Sequence, residues 1–396
     1  MPPLEGPAPH VKHADIPRPD YGNFHRNEWA ILGAPCDVIR NLAFSLTEGI
    51  SGQFRVGWAD ADHQGAELSP TGEDHNISIL TQGAAMEYTD KISFHRFDQI
   101  TKPDNFHFRA KFEAQDLVLL NGNHFPGKRQ IVLIDPRKEA SLRKKTALLT
   151  RVELIILGKD QTEPYPFLLE HLSASGQPLP PLVPIDDLPA IRNWLLARLR
   201  HSVAPLYGLV LAGGKSTRMG TDKSLIAYHG VPQKDFAAKT LAQACEKVFI
   251  SIRHDQKADA QSPFTYLPDT FLHLGPMGAL LSAFRMHPDA AWLAIACDLP
   301  LLDAPTLRHL TEERHSGKLA TAFVSPVNQL PEPLVAIWEP RSYPVLLQFL
   351  SQGYSCPRKV LLNSDVHLLH PQNPEALSNV NNPSESEEIR KKLNKD

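Results

Sequence analysis

Apolar residues in this chain fall into short runs divided by polar breaks, and the runs predict the strands. Residues 28–32 form a compact strand candidate and 54–58 a second apolar segment, while 117–120, 130–134 and 152–157 carry continuous runs of the kind that is buried on both faces of a sheet. Residues 37–46 and 187–199 instead repeat apolar positions at helical spacing, which predicts helices. Beyond residue 207 the alternation becomes regular: strand 208–211, helix 234–245, strand 248–252, helix 277–286, strand 292–296, helix 305–314, then strands 320–324 and 334–338. Strands that alternate with helices predict a mainly parallel sheet with helices on both faces, an α/β fold.

The breaks divide the chain. The first 25 residues mix Pro, His and charge without a period and predict an extended leader, while the polar tail 384–396 predicts a frayed terminal helix. A Pro-rich stretch at 176–184 and a short break at 201–205 put a boundary near residue 203. The expected division is a leader 1–25, a first domain 26–203 and a second domain 204–396. A length of 396 residues agrees with two domains at roughly 100–200 residues each. The 35 prolines, about 9% of the chain against a usual ~5%, point to long loops.

Charge and cysteine use narrow the chemistry. Forty-one Lys and Arg against 44 Asp and Glu leave a net charge of −3, so no global basic field exists for nucleic acid or an anionic membrane. An anionic ligand has to be held by local donors. The four cysteines, Cys36, Cys245, Cys297 and Cys356, have no paired short spacing, which argues against a zinc site or a disulfide framework and for a reducing, cytoplasmic compartment. The N-terminal stretch lacks an apolar signal region, and the longest apolar run, around 290–302, is too short to span a bilayer and contains Asp298, so a soluble protein is expected.

The strongest local signal is LAGGKSTRMGTDK, residues 211–223, directly after a buried strand. Ligands of open α/β sheets bind beyond the carboxyl ends of strands. Gly213 and Gly214 carry no side chains, so backbone N–H groups can approach a phosphate, and Lys215, Arg218 and Lys223 concentrate positive charge in the same loop. Asp298, just past the apolar strand 292–296, would lie at the same sheet edge, where a carboxylate can hold Mg²⁺. Asp303 is better placed than Asp298 to cap the helix that follows. Gly275 and Gly278 bracket Pro276 at the start of a helix whose N-terminus could face an anion.

This loop closely resembles the signature of the molybdenum cofactor guanylyltransferases, and three further segments match in order: Gly275-Pro276-Met277-Gly278, Cys297-Asp298-Leu299-Pro300 and Asn379-Val380-Asn381-Asn382-Pro383. The resemblance covers residues 206–396. It implies a Rossmann-like nucleotidyltransferase domain that transfers GMP from GTP to molybdopterin and releases pyrophosphate with Mg²⁺. It also implies that Leu211, Ala212, Gly213, Gly214, Lys223, Asp269 and Asp298 bind the nucleotide and that Asn379 and Asn381 lie near the pterin. Arg218, Lys223 and Asp298 would be the catalytic residues and Asp298 the metal ligand. The family motif is Asn-x-Asn-Thr-Pro, and Asn382 stands where the threonine would be. A CTP-using or sugar-1-phosphate transferase is the alternative within the class, and a non-catalytic cofactor-binding adaptor the alternative outside it.

In the first domain GAPCDVIR, Gly33 to Arg40, sits between a strand and a helix as a phosphate-binding loop G-x-x-x-x-G-K-[ST] would, but Val38, Ile39 and Arg40 replace the second glycine, the lysine and the hydroxyl. The order of elements weakly resembles the GTP-binding adaptor that accompanies the guanylyltransferase. The expectation is a degenerate P-loop-like domain that serves as a scaffold or docking surface, its partner an apo-molybdoenzyme or another cofactor-biosynthesis protein. Asp60, Asp62 and His63 read as a polar strand end rather than a metal site.

Overall fold

A computed structural model describes residues 21–61, 79–213, 223–259 and 261–393. Most of the expected leader, Asp62 and His63, and Gly214, Lys215 and Arg218 of the Gly-rich loop lie outside the described residues. Chain contacts divide the protein between Ser202 and Val203.

The first unit contains strands β1 (Glu28–Leu32), β2 (Val56–Ala59), β3 (Met86–Asp90), β4 (His95–Gln99), β5 (Leu117–Asn121), β6 (Arg129–Ile134), β7 (Val152–Leu157) and β8 (Leu182–Pro184). Its helices are α1 (Cys36–Ile50), α2 (Asn105–Phe112), α3 (Glu139–Lys144), α4 (Pro166–Ala174) and α5 (Leu188–His201). Six strands form one sheet in the order β2-β5-β1-β6-β7-β8, and all its pairs are parallel. The continuous apolar runs are explained by cover on both faces. Ile131, Leu133, Leu154 and Ile156 pack against Ile39, Leu42 and Leu46 of α1 and Ile191 and Leu195 of α5. Their neighbours Val132, Ile134, Ile155 and Leu157 turn to Leu142 of α3 and Leu168 and Leu172 of α4. β3 and β4 form a separate antiparallel hairpin.

The link from β5 to β6 carries no helix. It lies against β1, and two glycines permit the approach: a Cβ on Gly127 would stand 2.7 Å from the Ala30 Cβ, and one on Gly122 2.8 Å from the Leu32 Cβ. Glu28, fully buried at the start of β1, gathers this region by accepting backbone N–H groups of Phe24 (2.7 Å) and Lys128 (2.7 Å), with Asn23 and His25 at 3.1 Å.

The second unit contains β9 (Leu206–Leu211), β10 (Lys247–Ile252), β11 (Thr265–Pro268), β12 (Ala291–Ala296), β13 (Ala320–Val324), β14 (Pro331–Trp338) and β15 (His367–Leu369). Its helices are α6 (Gln233–Leu241), α7 (Pro276–Met286), α8 (Ala304–Glu312), α9 (Ser342–Ser351), α10 (Pro357–Leu362) and α11 (Pro383–Leu393). The sheet runs β11-β10-β9-β12-β14-β13-β15. β14 is antiparallel to both neighbours and the other pairs are parallel. One face packs on α6 and α8 through Ala238, Leu241, Leu307 and Leu310, the other on α7, α9 and α10 through Leu280, Phe284, Leu346 and Val360. α6 ends at Leu241, four residues before the expected end, because Glu246 already begins the pairing of β10 by donating its N–H to Leu206 O. No helix among the described residues is long and apolar enough to cross a membrane.

Candidate functional site

β9, β10, β11 and β12 are parallel and end on one edge of the sheet. Winding reverses at β9, which has β10 on one side and β12 on the other, and such a reversal opens a crevice beyond the strand ends. Leu211 closes β9, and its carbonyl accepts the Cys297 N–H at 3.4 Å, while Ala212 N–H reaches Ser251 O at 3.0 Å. Gly213 follows where the chain crosses the end of β10: a Cβ there would sit 3.1 Å from the Arg253 nitrogen. A side chain there would press on the Arg253 backbone, so the tight crossing favours glycine. Leu211, Ala212 and Gly213 therefore stand at the crevice, while Gly214 and Arg218 fall in 214–222, outside the described residues.

Asp298 leaves the end of β12 and is the meeting point of three chain passages. Its Oδ2 lies 3.3 Å from Lys223 Nζ, and the same ammonium donates to Asn381 Oδ1 at 3.0 Å. Val380 N–H donates to the Asp298 carbonyl at 2.9 Å, which fixes the C-terminal Asn-rich turn beside the strand end. The Asp298 side chain is 22% exposed, yet its Oδ1 is enclosed without a hydrogen-bond partner. An enclosed carboxylate oxygen without a donor is costly in a protein that lacks a cation beside it. A hard oxygen donor of this kind fits Mg²⁺. The turn after Asp298 is held by Gln233 Nε2, which donates to Leu299 O at 3.3 Å, and by a 2.8 Å contact of His229 Nε2 with Pro300 O. Asp303 Oδ1 accepts Thr306 N–H at 2.9 Å and caps α8, which leaves Asp298 without a capping role there.

Asp269 follows β11 at the same edge. Burial pushes its carboxyl above the ordinary range, and the Ser251 hydroxyl, which donates to Oδ1 at 2.8 Å, opposes that shift. Ser282 of α7 pins the next residues, accepting from Thr270 N–H at 2.8 Å and Phe271 N–H at 3.3 Å while its own O–H goes to Gly278 O. Gly278 has the Phe271 carbonyl where a Cβ would be, and Gly275 turns the chain into α7 with φ 55° and ψ −134°, a region for glycine. These glycines thus have packing and backbone reasons for being present.

The structure brings together Lys223, Asp298 and Asn381. Asp269 stands at a neighbouring strand end with Ser251, and Asn379 is exposed on the turn before Val380. Asn382 acts as a cap: its Oδ1 accepts Glu385 N–H at 2.9 Å and its Nδ2 donates to Glu385 Oε1 at 2.7 Å. The hydroxyl absent from the motif is thereby replaced by an amide that closes the start of α11. Sequence reasoning missed Ser251 and Ser282; each is a lone polar residue in an apolar run, which is the only signal the sequence offered.

Residues 208–367 match the MobA-like NTP transferase domain family. Over 191 residues the chain is 36% identical to a molybdenum cofactor biosynthesis bifunctional protein of Synechocystis, covering 48% of this chain and 54% of that protein. It thus spans about half the length of that relative. It is 30% identical over 183 residues to a probable molybdenum cofactor guanylyltransferase of Synechococcus elongatus, covering 45% of this chain and 94% of that protein. Among solved structures, molybdopterin-guanine dinucleotide biosynthesis protein A from Archaeoglobus fulgidus superposes with a TM-score of 0.42 at 18% identity, covering 48% of this chain and all of that one.

Proposed function

The chain belongs to the MobA-like NTP transferases of the molybdenum cofactor guanylyltransferase family, and on that premise we propose that residues 204–396 transfer GMP from GTP to molybdopterin in the cytoplasm. A phosphate oxygen of molybdopterin attacks the α-phosphorus of GTP in line, the bond from that phosphorus to the bridging oxygen breaks, and pyrophosphate leaves. The observation that carries this reading is the Asp298 carboxylate, with one oxygen on Lys223 and the other enclosed and unpartnered. Mg²⁺ bound through Asp298 would neutralise phosphate charge and free Lys223 to meet the triphosphate. Arg218 adds positive charge, the backbone of Leu211, Ala212, Gly213 and Gly214 orients the nucleotide, Asp269 contacts it, and Asn379 and Asn381 face the pterin. No protein nucleophile takes part; positioning and electrostatics do the catalysis.

For the first unit we propose a scaffold that docks an apo-molybdoenzyme or another cofactor-biosynthesis protein. Arg40, standing where a phosphate-binding loop carries its hydroxyl, is engaged by Asp60 at 3.0 Å, which supports a loop that no longer holds a nucleotide.

Asp298→Asn keeps the shape of the side chain and removes its charge. Pyrophosphate release with GTP, Mg²⁺ and molybdopterin should fall by about 10²-fold or more while circular dichroism stays unchanged. Lys223→Ala should raise KM for GTP and lower kcat together. Near wild-type turnover in the first variant would refute the assignment, and CTP outcompeting GTP would move the protein to the alternative substrate.

A further inference from the structure

The carboxyl edge of the first unit's sheet holds chemistry that nucleotide transfer does not use. β1 lies where the winding reverses: α1 leads from it toward β2 on one side, and β6 on its other side leads on to β7. Ligands of open α/β sheets are taken at this point. Gly33, at φ 97°, turns the chain out of β1, and Cys36 is the first residue of the 15-residue helix α1, whose N-terminus has no side-chain cap. Its first N–H groups therefore face outward from a helix end that favours negative charge.

The helix-free link from β5 to β6 delivers two further groups to that place. His124 Nε2 lies 3.4 Å from Cys36 Sγ, and Asn123 Nδ2 donates to the same sulfur at 3.5 Å. Both are held firmly. Asn123 Nδ2 also donates to Ala34 O at 2.9 Å, Lys145 Nζ binds Asn123 O at 2.9 Å, and His124 N–H reaches Asn121 O at 3.0 Å. Asn121 is itself buried and donates to Asp60 Oδ1 at 2.8 Å. Cys36 and His124 are only partly buried, so a small molecule can reach the sulfur.

We propose that Cys36 and His124 form a thiol-exchange site that takes low-molecular-weight disulfides. The Cys36 proton passes to His124 Nε2, the thiolate attacks one sulfur of the disulfide, the S–S bond breaks, and the departing thiolate takes the proton back from His124. The products are a mixed disulfide on Cys36 and one free small thiol, so atoms and electrons balance. Asn123 Nδ2 and the uncapped helix end lie beside the attacking sulfur.

The remaining cysteines supply the controls. Cys297 is buried, burial pushes the Cys245 thiol up to about 12, and Cys356 is exposed. Full-length protein is incubated at pH 7 with oxidised glutathione, and mixed-disulfide formation at each cysteine is followed by peptide mass spectrometry. Cys36 should react at least ~10-fold faster than Cys356, and His124→Gln should lower the Cys36 rate at least ~10-fold while leaving Cys356 unchanged. A Cys36 rate no higher than that of Cys356, or one unaffected by His124→Gln, would overturn the proposal. If that variant fails to fold, the wild-type ratio of the two rates decides. Since the readout is adduct formation and not GMP transfer, it stands or falls apart from the function proposed for the second unit.

Discussion

At Asp269 the cost of burial and a single hydrogen bond compete in one side chain. Burial holds its carboxyl above the ordinary range more strongly than the Ser251 hydroxyl lowers it. The folded protein therefore binds this proton more tightly than the unfolded chain does. The stability this gives is fully present below the unfolded value, 3.8, and is lost as pH rises through the folded one. Asp269→Asn cannot ionise and keeps an acceptor for Ser251, so its Tm at pH 7 should exceed that of the wild type, with the difference shrinking as the pH falls toward 4. Thermal melts across that range check it, and a gain equal at every pH would show that ionisation is not its source. Asp269 was singled out in the sequence only through the family resemblance, since the short strand before it, Thr265–Pro268, left no separate signal. Its partner Ser251 was not, since an 18-residue separation carries no periodic signal and only the sheet makes them neighbours.

Elements with long, continuous apolar runs were legible, because a run buried on both faces leaves its mark whatever surrounds it. β1, β5, β6, β7, β9, β10 and β12 belong to this class. The hairpin of β3 and β4 was not: Tyr88 and Phe97 pack on each other at 4.9 Å while 53% and 60% exposed, and polar residues separate them from their apolar neighbours. α4, α9 and α10 are short enough that an apolar stretch suits helix or strand equally, and β8 and β15 are three residues each. The start of α11 shows the opposite case, in which a local code suffices. Asn382 and Glu385 close its first turn reciprocally, and Asn381 N–H also reaches Glu385 Oε2 at 2.6 Å. Asn382→Ala should cost about 1 kcal/mol in urea unfolding, and Asn382→Thr should recover most of it. An unchanged midpoint in the alanine variant would mean that this turn is held by Val380 and Lys223 instead.

On the scale of the whole chain, each unit has its own sheet and draws its core from its own residues. A chain starting at Val203 should fold alone and release pyrophosphate from GTP and molybdopterin within about threefold of the full protein, while activating an apo-molybdoenzyme less well. Equal loss in both assays would assign the first unit to catalysis, and no loss in either would remove its docking role. The break at 201–205 was visible as composition. What the second unit assembles within itself was visible only in part, because motif order shows which segments matter and not which side chains touch. The contacts of Lys223 with Asp298 and Asn381 close stretches of 75 and 158 residues, so no short segment of the second unit contains all three. If the nucleotide is held as we propose, its binding would appear only after these distant segments have come together, so nucleotide binding would follow the folding of the second unit and not precede it.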